Sequence, residues 1–121
     1  MRRFAAVLTT AALLAVPAVG QEQAEQGTAA VLRALDKVNG HSLDAEVAIG
    51  ASAEMFGLLV TVSDCRFPAE NPTGDAYAYL SVRDPKNGAE HFQGWMIASS
   101  PALNALDHSR YDVWVIRCSS N

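Results

Sequence analysis

The stretch Asp75–Ile97, DAYAYLSVRDPKNGAEHFQGWMI, decides the fold. Ala76, Ala78, Leu80 and Val82 occupy every second position, with Tyr77, Tyr79, Ser81 and Arg83 between them. A period of two belongs to a strand with unlike faces, because successive side chains of an extended chain point to opposite sides. Pro85-Lys86-Asn87-Gly88 then breaks the pattern, and an Asn-Gly pair favours the positive φ of a tight hairpin turn. The residues from about Glu90 to Ile97, through Phe92, Trp95 and Met96, are therefore expected to return as an antiparallel partner.

The same grammar extends in both directions. Upstream, a short mixed run from Ala30 to Leu35 meets a second Asn-Gly pair at Asn39-Gly40. Leu43, Ala45, Val47 and Ile49 then alternate with Ser42, Asp44 and Glu46, the mark of a half-buried strand with one wet face. A brief run over Ala53–Phe56 stops at Gly57, and Leu58–Asp64 alternates up to Cys65. Arg66–Gly74 carries Pro68, Pro72 and Gly74 and reads as the longest and least regular loop. Downstream, Tyr111–Cys118 is the last strand. Before it, Ser99 and Ser100 are good N-caps and Pro101 suits a first helical position. Leu103 and Leu106 would share a face of that helix and anchor it on the sheet, over two turns at most. The fold class that follows is all-β: a small antiparallel β-sandwich or barrel with one short helix and one disulfide.

The N-terminus has another character. Arg2 and Arg3 are followed by an uncharged stretch, Phe4–Val16, then Pro17 and the small residues Ala18-Val19-Gly20. This is the three-part plan of a secretory signal peptide, with cleavage expected between Gly20 and Gln21. The apolar run is too short for a membrane-spanning helix, so no membrane span is expected after processing. Residues 1–20 read as signal peptide, 21–28 as a flexible polar leader, and 29–121 as one β-rich domain.

Losing Arg2 and Arg3 takes the formal charge from −4 to −6, seven basic side chains against thirteen acidic. Such a surface repels phosphate backbones, which disfavours nucleic acid as a partner. Cys65 and Cys118 are the only cysteines, in a chain expected to reach an oxidising compartment. They lack the Cys-x-x-Cys spacing of a redox couple and are too few for a zinc site, so a structural bridge is expected.

Chemistry is sparse. His41, His91 and His108 show no metal-ligand spacing, and no cofactor is implied. Asp107-His108-Ser109 contains the residue types of a hydrolase triad, but a triad is made by convergence in space. A hydrolase built on Ser99 or Ser100 with His108 ranks last among the readings, and the chain is not expected to be an enzyme. Asp44 and Glu46 read as a solvated strand face. The aromatic residues carry more signal: Tyr77, Tyr79, Trp95 and Trp114 are the binding candidates, with Tyr111 nearby in sequence. Core packing is the favoured reading of that cluster, with Tyr77 and Tyr79 the better candidates for an exposed patch.

The segment GWMIASSPALNALDH, Gly94–His108, leads into Tyr111-Asp112-Val113-Trp114 and Cys118. With Leu35-Asp36-Lys37 and Cys65, it resembles an uncharacterised family of exported alphaproteobacterial proteins defined by a domain of unknown function. The resemblance implies a bacterial periplasmic protein and brings no activity, cofactor or catalytic residue. The expected role is a noncatalytic binding or assembly module that docks on an envelope protein. The alternative is a small-ligand or glycan-binding domain using the aromatic patch.

Overall fold

A computed structural model of the chain describes residues 5–6 and 23–121. The expected signal peptide, Ala5 and Ala6 apart, and the Gly20–Gln21 cut lie outside the described residues. Among those residues the chain forms strands β1 (Ala24–Gln26), β2 (Ala29–Asp36), β3 (Ser42–Ala48), β4 (Ser52–Met55), β5 (Leu58–Pro68), β6 (Tyr77–Arg83), β7 (Glu90–Ile97) and β8 (Tyr111–Ser119). They build two antiparallel sheets. The larger runs β1-β5-β6-β7, with β4 beside the first half of β5, and the smaller runs β3-β2-β8. The all-β sandwich expected from the alternation is what forms.

The alternation also places the core. Val60 and Val62 of β5, with Ala78, Leu80 and Val82 of β6, are fully buried. They face Leu32 and Ala34 of β2 and Val113 and Val115 of β8 in one cluster. Every second residue of each sheet thus enters a shared apolar layer, the main favourable term in holding two sheets face to face.

Both cysteines reach that layer through a β-bulge. Val62 pairs with Leu80 and Asp64 with Tyr79, so Ser63 is the extra residue on β5. Strict alternation from Val62 would turn Cys65 outward; the extra residue turns it in. On β8, Val115 pairs with Leu32 and Arg117 with Val31, leaving Ile116 as the extra residue. That shift sends Arg117 out and Cys118 in. The two meet as a disulfide with Cα atoms 5.7 Å apart, tying the larger sheet to the smaller.

Four expectations are corrected. The Arg66–Gly74 stretch is not loop throughout, because β5 continues to Pro68, held by β1 on its edge. The leader expected over 21–28 contributes that strand: its polar side chains stay exposed while its backbone pairs with Arg66–Pro68. Gly27, next in the chain, donates its N–H to the Cys65 carbonyl. A Cβ there would lie 2.5 Å from the Ser119 carbonyl oxygen, so only glycine lets the chain pass this close to the bridge.

The expected short helix is a single 3-10 turn, Pro101–Leu103. Ser100 makes no capping hydrogen bond, and the Ser99 hydroxyl is spent on Asp75 instead. With no cap and one turn there is nothing to carry a helix forward. Leu106 is buried as expected, but Leu103 is 75% exposed and anchors nothing.

The two Asn-Gly turns also differ from the two-residue form. In each, an aspartate opens a longer loop and its carboxylate accepts the N–H two residues on: Asp36 from Val38 and Asp84 from Lys86. Gly40 and Gly88 have φ of 77° and 72°, while Asn39 and Asn87 do not enter positive φ and instead accept the N–H of His41 and Ala89. The Asp side chain supplies the closure that a two-residue turn obtains from its backbone.

Candidate functional site

The cross-strand register builds two rows on the outer face of the larger sheet. One runs Asp64, Tyr79, Trp95; the other runs Gln26, Arg66, Tyr77, Ile97. Directly opposed residues of antiparallel strands lie on the same face, close enough for side chains to touch. Tyr79 and Trp95 meet edge to face with ring centroids 5.4 Å apart. Trp95 remains 42% exposed, and Tyr77, Tyr79 and Ile97 are half-buried.

Polar groups border this platform. Arg66 Nε donates to Asp64 Oδ2 at 2.8 Å, and Gln26 Nε2 donates to Asp64 Oδ1 at 3.1 Å. Partial burial acts to raise the Asp64 carboxyl, but the bonds from Arg66 and Gln26 outweigh it and hold it below the ordinary carboxylate value. An aromatic surface edged by a fixed carboxylate, a guanidinium and an amide can stack on an apolar or sugar ring and hydrogen-bond its rim.

Sequence reasoning grouped four aromatic residues; the structure brings three of them together. Trp114 lies on β8 opposite Arg33, in the other sheet. There it packs against the core and borders a cavity of about 410 Å³ with Pro101, Ala102, Ala105, Asp112 and Val113. Core packing holds for Trp114 and Tyr111, which rest against the buried cluster, and not for Trp95. Phe67 is the one aromatic residue in the buried core among the described residues, and the rest of it is aliphatic or small. Val, Leu, Ala and Met fill most of the layer between the sheets.

A second cluster sits at the end of the sandwich where β7, the 98–110 segment and the β4–β5 hairpin meet. His91 and His108 contact edge to face at 4.8 Å, His108 stacks on Tyr111 at 5.4 Å, and Tyr111 stacks on Phe56 at 5.6 Å. His91 is the bulge residue of β7, and its Nε2 is buried without a partner. Phe56 holds a left-handed φ of 58° at the hairpin tip, where stacking on Tyr111 compensates the strain. Nothing in the spacing of the histidines signals this contact, which depends on the bulge.

His108 Nδ1 accepts backbone N–H groups from Arg110 and Tyr111, both at 3.0 Å. Lys37 Nζ donates to the His108 carbonyl, and Arg110 forms a forked ion pair with the buried Asp36 at 2.9 Å. The Arg110 hydrogen bonds hold the Asp36 carboxyl below the ordinary carboxylate value. Partial burial, then the neighbouring His91 and Lys37, push His108 below its ordinary 6.5, while Asp84 acts weakly the other way. A folded-state value below the unfolded one means the unfolded chain takes up its proton first on acidification. The His108 contribution is therefore present above about pH 6.5 and lost as pH falls through its folded value. Thermal midpoints should drop between neutral and mildly acid pH. In an imidazole NMR titration His108 should turn over below 6.5; a higher midpoint contradicts this packing.

The triad types do not share these bonds. Ser99 donates its hydroxyl to Asp75 Oδ2 at 2.6 Å, whereas His108 Nδ1 faces backbone. Asp44 forms a forked pair with Arg33 across β2 and β3, with bonds of 2.8 and 3.0 Å. Among the described residues no group of three or more His, Cys, Asp or Glu could hold a metal ion. No helix among them is long and apolar enough to cross a membrane.

Residues 30–118 match the model of a family described as uncharacterized protein conserved in bacteria (DUF2155). Comparison with curated proteins and with solved structures returns no match.

Proposed function

Given that the chain belongs to this uncharacterised bacterial family, we propose that it is an exported, noncatalytic binding module of the cell envelope. It works in the periplasm of an alphaproteobacterium and docks on an envelope protein. Export is supported by the basic, apolar and small-residue segments that open the chain. A disulfide between the sheets suits an oxidising compartment.

The observation that carries the binding role is the Tyr79–Trp95 pair on the outer face of the larger sheet. Large rings are the residues a small domain most needs inside, and here they lie outside its apolar layer. Tyr and Trp dominate binding energy where a partner covers them. A second reading, a glycan ligand, is favoured by the open Trp95 face beside Asp64, Arg66 and Gln26, since sugars pair ring stacking with rim hydrogen bonds.

A photo-crosslinking residue at Ser81, beside Tyr79 on the same face, tests the first reading in the periplasm. A discrete protein adduct is expected, reduced roughly tenfold or more by Trp95→Ala or Tyr79→Ala. Loss of the adduct with retained folding supports the platform. An adduct indifferent to both substitutions, or none above background, sinks it. Binding of purified cell-wall oligosaccharides with quenching of Trp95 fluorescence would instead favour the glycan reading.

A further inference from the structure

We propose that the protein pairs with a second copy of itself through the free edge of β8. In the smaller sheet β8 has β2 on one side and no strand on the other. Among the described residues, the backbone bond that reaches it from outside the sheets is Thr28 N–H to the Ser119 carbonyl, on the β2 side. Tyr111 N–H is taken by His108 Nδ1 and Val113 N–H by the Asp112 carboxylate at 2.9 Å; beyond these, such an edge is a template for another strand.

The edges at β3 and β7 are guarded. On β3, at the opposite end of the sheet, Asp44 and Glu46 alternate with the apolar residues. On β7, the Asn104 side chain covers the edge by donating to the Trp95 carbonyl at 2.8 Å. The centre of β8, Val113-Trp114-Val115-Ile116, is rich in strand-forming residues and has neither proline nor lysine; its one irregularity is the Ile116 bulge opposite β2.

The charges of β8 indicate what covers it. Asp112, Trp114 and Arg117 pair with Leu35, Arg33 and Val31, alternate residues of β2, so all three lie on the outer face. Neither Asp112 nor Arg117 takes part in an ion pair among the described residues. The strand is acidic at its start, apolar through its middle and basic at its end. Laid antiparallel against itself, that order reverses, and Asp112 of each copy meets Arg117 of the other with Trp114 near the two-fold axis. The contact is isologous and closes at a dimer. A cleft of about 410 Å³ separates Asp112–Trp114 from Pro101, Ala102 and Ala105, and one of about 480 Å³ separates Ile116–Ser120 from Pro72–Asp75, so a second strand would enter between β8 and these segments. This surface belongs to the smaller sheet and does not involve the Tyr79–Trp95 platform, so either reading can fail without the other.

Sedimentation velocity on the processed, oxidised protein, from micromolar to near-millimolar concentration, should show a monomer–dimer equilibrium. Asp112→Arg or Arg117→Asp should each weaken the dimer roughly tenfold, since each places like charges together at two symmetric contacts. The double variant should restore it. Hydrogen exchange on the unmodified protein needs no substitution: β8 amides should gain protection as concentration rises, with β3 amides unchanged. A monomer at every concentration, or a dimer indifferent to the single reversals, overturns the proposal. Monomer behaviour would leave a foreign strand as the occupant.

Discussion

Breaking the Cys65–Cys118 bridge is expected to lower the unfolding free energy by about 4 kcal/mol. The bridge closes a sequence separation of 53 residues, and a loop of that length carries a large closure entropy in the unfolded chain. The folded side adds to this. Cys65 is fully buried and Cys118 nearly so, hence serines at both positions would also bring two hydroxyls into the apolar layer. A domain of this size with a single apolar layer has limited stability to lose. Urea unfolding of the oxidised protein, the reduced protein and the Cys65→Ser/Cys118→Ser variant measures the difference. Both altered forms should unfold at much lower denaturant, with an increased slope if the unfolded chain expands when released. A loss under about 1 kcal/mol would mean the unfolded chain is already compact around these segments.

The bridge also shows what a sequence discloses and what it hides. That Cys65 and Cys118 pair follows from their number and from the proposed export of the chain. How they come to face one another does not. By alternation alone, Val62 inward puts Cys65 outward, and Val115 inward puts Cys118 outward. Each is rescued by one unpaired residue, Ser63 and Ile116, whose presence depends on the partner strand's pairing rather than on local pattern. His91 is a third such residue, and its contact with His108 is illegible for the same reason.

Local chemistry read well where it was self-sufficient. The alternation over Asp75–Asp84 and Ser42–Ile49 located strands because one face of each meets the apolar layer. It failed where tertiary contacts decided the outcome. Ala24–Gln26 has no apolar period, yet it is a strand, because the edge of β5 offers its backbone partners. The Ser-Ser-Pro start resembled a helix cap, but Ser99 serves Asp75 across the 76–98 hairpin instead. Of the candidate site, Tyr77, Tyr79 and Trp95 were legible as a group because adjacent hairpin strands carry them. Trp114 was not separable from them without knowing that β8 joins the other sheet. The polar rim of Asp64, Arg66 and Gln26 lay in segments read as strand end, loop and leader.

The second large effect is expected at Leu80, where Leu80→Ala should cost about 3–4 kcal/mol, toward the upper half of the range for buried leucine truncation. The reason is its position. Leu80 is fully buried in the central strand β6, opposite Val62 on one side and Gly94 on the other. Gly94 has no side chain to lean into a vacated space. Phe92 already approaches within 3.5 Å of where a Gly94 Cβ would be, so its ring has little further to move. A cavity that cannot collapse retains its full penalty. Tyr79, one residue earlier, points the other way and pairs with Trp95. Tyr79→Ala should cost about 1 kcal/mol, the scale of a single half-exposed aromatic pair, while removing half of the proposed binding platform. Urea unfolding of the two variants separates these roles. Equal losses would mean that β6 does not divide its two faces between core and surface, and the platform assignment would fall with that division.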